Sequence, residues 1–118
     1  MLRLVLSALL LATAAGASFA QSWPAKPVRW VLSQPPGSSP DIVARLVAEQ
    51  LSRRWDKPIV VENRPGGQNV VGALAAAKAP ADGFTYYYGT TAALVINSYT
   101  FKAPPYDPRK DFVPVGMI

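Results

Sequence analysis

Three times along this chain a run of β-branched and aromatic residues closes in a loop of Gly, Pro, Ser, Thr or Asn and passes into a helical pattern. Strand, crossover helix and next strand make a βαβ unit, so the recurrence restricts the chain to a mainly parallel sheet with flanking helices, an α/β fold. The first run, Val28-Arg-Trp-Val-Leu-Ser33, ends at Gln34-Pro-Pro-Gly-Ser-Ser39, which predicts a buried strand and a tight loop. Pro40 suits the first turn of a helix, Ser38 or Ser39 can cap it, and Asp41 puts a carboxylate at its positive end. Ile42, Val43, Leu46, Val47, Leu51 and Trp55 recur at helical spacing, predicting a helix over 40–54 whose apolar stripe packs on the sheet. Asp56-Lys57-Pro58 ends it.

Pro58-Ile-Val-Val-Glu62 reads as the second strand and Asn63-Arg-Pro-Gly-Gly-Gln-Asn69 as its loop. Asn69 is placed to cap a helix over 70–79, in which Gly72, Ala73, Ala76 and Ala77 allow close approach to a sheet. Pro80-Ala-Asp-Gly83 is a turn, Phe84-Thr-Tyr-Tyr-Tyr88 a third strand, and Gly89-Thr-Thr91 leads into a short helix over 92–99. Val115-Gly-Met-Ile118 looks like the opening of a fourth strand.

In parallel sheets ligands bind outside the carboxyl ends of the strands. The loops 34–39, 63–69 and 89–91 all lie there, and each leads into a helix whose first N–H groups lack partners within the helix. Amides and hydroxyls so placed can hold a small anion, although ordinary caps and turns carry the same residues.

Composition removes most competing chemistry. The chain has no cysteine and no histidine, so disulfides, thiolate zinc sites, cysteine nucleophiles and the commonest neutral-pH base are excluded. No catalytic residue, metal site or cofactor is indicated. Gly37-Ser-Ser-Pro-Asp41 lacks the lysine of a P-loop, and Gly89 onward lacks a dinucleotide fingerprint. Met1-Leu-Arg3, the apolar run 4–15 and Ser18-Phe-Ala20 form the pattern of a secretory signal peptide over 1–20 with cleavage after Ala20; a spanning helix needs about 20 apolar residues. The remainder, 21–118, stays basic, but its charges are scattered and show no stripe for nucleic acid.

Trp23-Pro-x-Lys-Pro-Val-Arg29, Pro35-Pro-Gly37, Asp41-Ile-Val-Ala-Arg-Leu46, Val60-Val-Glu-Asn-Arg-Pro-Gly66, Asp82-Gly-Phe-Thr85, Gly89-Thr90, Tyr106-Asp-Pro108, Lys110-Asp-Phe112 and Pro114-Val115 occur in this order. Together they resemble the periplasmic solute-binding receptors of tripartite tricarboxylate transporters, the Bug or TctC-type proteins. The resemblance implies a periplasmic-binding-protein-like fold (type II, Venus flytrap), with two α/β domains and a hinge. It implies no enzyme activity, no cofactor, a small organic acid as ligand and membrane permease subunits as partners. Carried over, Pro36, Gly37, Ser38, Ser39 and Asp41 form the first ligand loop, Gly66, Gly67 and Asn69 the second, and Gly89, Thr90 and Thr91 the third. Asp41 braces its loop rather than meeting an anion, since like charges repel. The chain departs from the family pattern at Ser38, Pro40 and Asn69-Val70.

Members of that family run to roughly two domains' length, so residues 21–118 are expected to be a fragment, the N-terminal part of domain 1, without the second domain or the segment that completes the first. Apolar helix faces and sheet edges are then left uncovered. Two other classes stay open at this stage: an exported sensor or interaction module without transport, and a small α/β enzyme using the loops as an anion site.

Overall fold

Val28, Val31 and Leu32 are wholly removed from solvent, and a strand apolar on both faces belongs at the centre of a parallel sheet. In the computed structural model, which describes residues 22–117, it is flanked on both sides. The elements are β1 (Val28–Leu32), α1 (Ser39–Trp55), β2 (Ile59–Asn63), a 3-10 turn (Gly67–Asn69), α2 (Val70–Ala77), β3 (Thr85–Tyr88), a π-helical turn (Ala92–Ile96), α3 (Asn97–Thr100) and α4 (Pro108–Asp111). The strand order is β2-β1-β3 with both pairs parallel, as the recurring unit requires.

Paired positions in parallel strands share a face. Trp30 and Leu32 stand with Val61 and Asn63 on one face, and α1 covers it through Arg45 Nη2, which donates to Asn63 Oδ1 at 2.8 Å. Val31 pairs with Tyr87, and on that opposite face α2 brings Gly72 against Ser33. Right-handed crossovers to the two sides of β1 demand helices on opposite faces. The chain runs from β1 out to β2 and then back across β1 to β3, so β1 and β3 are joined to opposite sides and the crevice between their exits is the switch point where such folds hold ligands.

Several expected features come out differently. The buried residues of α1 are Asp41, Ala44 and Ala48, whereas Ile42, Val43 and Leu46 are 52%, 42% and 59% exposed. Small side chains let the helix lie close on the sheet, and this turns the bulky ones of its first half outward. Ser38 sits at the N-cap but makes no side-chain cap; its Oγ donates to Pro35 O. Asn69 likewise caps nothing, being left-handed at φ 75°. The tail 113–117 forms no strand, and Val113, Val115 and Met117 are 86%, 76% and 98% exposed, because no described segment lies beside them to pair with. The expected signal peptide lies outside the described residues.

Candidate functional site

Ser33 and Gln34 follow the end of β1, and what these two polar residues touch decides how the loops are held. Ser33 is buried; its Oγ donates to Asn69 O at 2.8 Å and shares a hydrogen bond with Tyr87 Oη at 2.6 Å. Gln34 Nε2 donates to Asn69 Oδ1 at 2.9 Å, and Asn63 Nδ2 donates to Gln34 O at 3.0 Å. Burial pushes the Tyr87 hydroxyl up to about 12, so it stays a neutral hydrogen-bonding group near neutral pH. The Gln34 Oε1 atom is buried without a donor among the described residues.

Asp41 braces the first loop. Its carboxylate accepts from Arg45 Nε at 3.0 Å, Gly37 N at 2.9 Å and Asn63 Nδ2 at 2.8 Å. Arg45 above all, then the Gly37 amide and Asn63, hold its acid constant down from 3.8 to about 2. Its charge is spent inside the protein, so it adds little repulsion to an anion at the loop. Gly37 lets the chain turn at φ +81° with nothing within 4 Å of a would-be Cβ. Gly37→Ala is therefore expected to cost about 1–2 kcal/mol through backbone strain alone, read as a lower urea midpoint; an unchanged midpoint would show that the left-handed turn does not matter.

The second loop passes through Gly66, Gly67, Gln68 and Asn69, all at positive φ. The third begins at Gly89, against which Leu94 and Tyr87 pack so closely that a Cβ would meet Leu94 Cδ1 at 2.7 Å. Thr90 closes it, its carbonyl accepting from Leu94 N at 2.9 Å and its hydroxyl lying 3.5 Å from Ala93 N. Asn97 Nδ2 then donates back to Gln68 O at 2.7 Å.

Two loops expected from the strand ends are thus tied together, the first and second through Gln34, Ser33 and Asn69, and Asn97 ties the second to the helical segment that follows the third. Pro36, Gly37, Ser39, Gly66, Gly67 and Thr91 are exposed, Ser38, Asn69, Gly89 and Thr90 half-buried, and only Asp41 is fully buried. Ser33, Gln34, Asn63 and Asn97 are additions to the expected set. For the first three a signal exists in the sequence: a polar residue at the carboxyl end of an apolar strand, just before a loop. Asn97 carries none. A hollow of about 670 Å³ is lined by Ser98 and residues 104–110. It contains no residue of the three loops, and of its cations Lys110 lies 3.5 Å from Asp107. Among the described residues no three or more His, Cys, Asp or Glu side chains converge on a metal-sized site.

The chain is similar in sequence and fold to known proteins. A family model described as "Tripartite tricarboxylate transporter family receptor" matches residues 43–118. A UPF0065 protein of Bordetella bronchiseptica is 41% identical over 115 residues, which cover 98% of this chain and 34% of that protein. Among solved structures, the R. palustris protein Rpa4515 with adipate is 34% identical at a TM-score of 0.70, covering 74% of this chain and 29% of the other. MatC (Rpa3494) of Rhodopseudomonas palustris with bound malate is 31% identical at a TM-score of 0.64, covering 79% and 32%. This chain spans about a third of the length of the curated relatives it matches. The α/β periplasmic-binding-protein fold expected from the ordered motifs is the fold found. With the family model spanning well over half of its residues, the chain belongs to the receptor family of the tripartite tricarboxylate transporters.

Proposed function

We propose that this chain supplies ligand-binding loops of an extracytoplasmic receptor that captures a small carboxylate for a tripartite tricarboxylate transporter. The observation that carries this reading is the cross-tied set of three loops at the switch point, whose one acid, Asp41, is already neutralised by Arg45. Such a site offers amides and hydroxyls to an anion and presents no opposing charge. Solved relatives named with adipate and with malate support the ligand class. Pro36, Gly37, Ser38, Ser39, Gly66, Gly67, Asn69, Gly89, Thr90 and Thr91 are the residues assigned to the ligand, with Asp41 behind them. Residues 21–118 are read as part of the first lobe, the second lobe reading the far end of the acid, and permease subunits receiving the loaded receptor. Residues 1–20 are read as the signal that takes the protein to the periplasm.

The groups present in this chain support capture without turnover. The Ser33 hydroxyl is buried between Asn69 O and Tyr87, and no histidine exists to activate any hydroxyl of the loops. Titration calorimetry of the full-length protein against mono-, di- and tricarboxylates is expected to give saturable binding to at least one acid, recovered unchanged. No binding to any acid would sink the carboxylate reading, and consumption of the acid would replace the receptor by an enzyme.

A further inference from the structure

Gly66, Gly67, Gln68 and Asn69 have φ values of 125°, 55°, 54° and 75°, four left-handed residues in succession. Glycine takes such values freely, but a residue with a Cβ is strained there, and asparagine tolerates it better than glutamine does. Gln68 is exposed, so burial of its own side chain does not hold it in place. Strain of this kind persists only where the surroundings over-determine the conformation.

Two side chains from elsewhere in the fold grip this turn by its carbonyls. Ser33 Oγ holds Asn69 O, and Asn97 Nδ2 holds Gln68 O at 2.7 Å. Asn97 is itself 5% exposed and donates its other amide proton to Tyr106 Oη at 3.2 Å. Tyr106, 4% exposed, donates in turn to Ala93 O at 2.6 Å. Both protons of the Asn97 amide are thus used, one on Tyr106, which in turn holds Ala93 O in the π-helical turn before Asn97, and one on the strained residue of another loop. A direct hydrogen bond thus ties the helical segment that follows Gly89–Thr91 to the 66–69 turn.

We propose that Asn97 is a positioning residue of the binding site: by holding the Gln68 carbonyl it keeps the left-handed turn Gly66–Asn69 in its binding shape and locks the second loop to the helical segment that follows the third. What the turn binds rests on the carboxylate-receptor reading; that Asn97 holds the turn does not.

Asn97→Asp in the full-length protein keeps the shape, removes the N–H donors and sets an oxygen against the Gln68 carbonyl. Hydrogen exchange is read at Val70 and Val71, whose amides close the turn on Gly67 O and Gly66 O. Their exchange is expected to quicken by roughly tenfold, with β1 amides unchanged, and affinity for the acid found by calorimetry to fall by about tenfold, the scale of one lost hydrogen bond. Adding Gln68→Gly, which relieves the strain, is expected to recover most of that affinity, a rescue that a mere packing role for Asn97 does not produce. Unchanged exchange in Asn97→Asp overturns the proposal, and so does a double variant that binds no better than the single one. If Asn97→Asp does not fold, Tyr106→Phe removes only the anchoring hydroxyl. It is expected to speed exchange at Val70 and Val71 a few-fold, and no change there overturns the proposal. If the parent binds no acid, the receptor reading fails while the exchange experiment still decides the role of Asn97.

Discussion

Gly72→Leu is expected to abolish cooperative folding of this region. A Cβ at residue 72 would lie 2.4 Å from Ser33 Oγ, 3.0 Å from Ser33 Cα and 3.1 Å from Arg64 O. Two of these atoms are backbone and cannot swing aside, and the third is pinned between Asn69 O and Tyr87 Oη. Relief requires α2 to lift from β1, which pulls the second loop away from the first. Overpacking by a single methyl commonly costs about 1–3 kcal/mol, a large share of the ~5–15 kcal/mol that holds a domain folded. Gly72→Ala should therefore lower the urea midpoint by a corresponding amount, and Gly72→Leu should leave no sharp transition. Leucine unfolding at the parent's midpoint would mean that α2 does not sit as close to β1 as described.

That close approach is partly legible in the sequence. Gly72, Ala73, Ala76 and Ala77 mark a helix built to lie near a sheet, and Gly72 and Ala73 are its buried residues. The same principle governs α1, where the spacing of the bulky Ile42, Val43 and Leu46 points to the wrong face and Ala44 and Ala48 lie inward instead. Spacing alone cannot distinguish the two faces, because 41, 44 and 48 also repeat at helical intervals. Side-chain size is the discriminating signal. The loops are legible because Gly, Pro and Ser punctuate the strand ends locally. The order β2-β1-β3 is not, since parallel pairing leaves no mark in adjacent residues. Nor are the ties that join the loops: Ser33 to Tyr87, Gln34 to Asn69 and Asn97 to Gln68 link single polar residues far apart in the chain, and no periodicity encodes such a pair.

The exposed faces follow from the same geometry. Ile42, Val43 and Leu46 on α1, and Val60 at 53% exposure on β2, leave apolar surface uncovered. A three-stranded sheet also has two open edges. At the loop end of the sheet internal polar ties join the elements, and the greatest weight falls on the most connected of those ties.

That tie is Asp41, and its replacement by asparagine is expected to destabilise the protein at neutral pH and to leave it almost unaffected near pH 2. The carboxylate joins the first loop through Gly37 N, its own helix through Arg45 and β2 through Asn63. Asn63 in turn holds Gln34 O, so one acid registers the β1 loop on the neighbouring strand. With the folded acid constant lowered to about 2 from an ordinary 3.8, the native state binds the proton less well than the unfolded chain. The stabilisation is thus present above about pH 4 and disappears as the pH falls through about 2. Asp82 and Asp107 are lowered in the same direction, by Lys26 first and by the Arg109 amide first. The parent therefore weakens in acid from several groups at once, and only the difference between parent and Asp41→Asn isolates this one. Denaturant midpoints of the two proteins should be well separated at pH 7 and converge between about pH 4 and about pH 2. Curves that run parallel across that window would remove the charge of Asp41 from any part in stability. For ligand affinity, Asp41→Asn is expected to cost roughly tenfold or more, the scale on which a charge-assisted hydrogen-bond network positions a loop. In the proposed site Asp41 acts on the ligand only through the Gly37 amide and the set of its loop, so that loss should appear even for an acid with a single carboxylate.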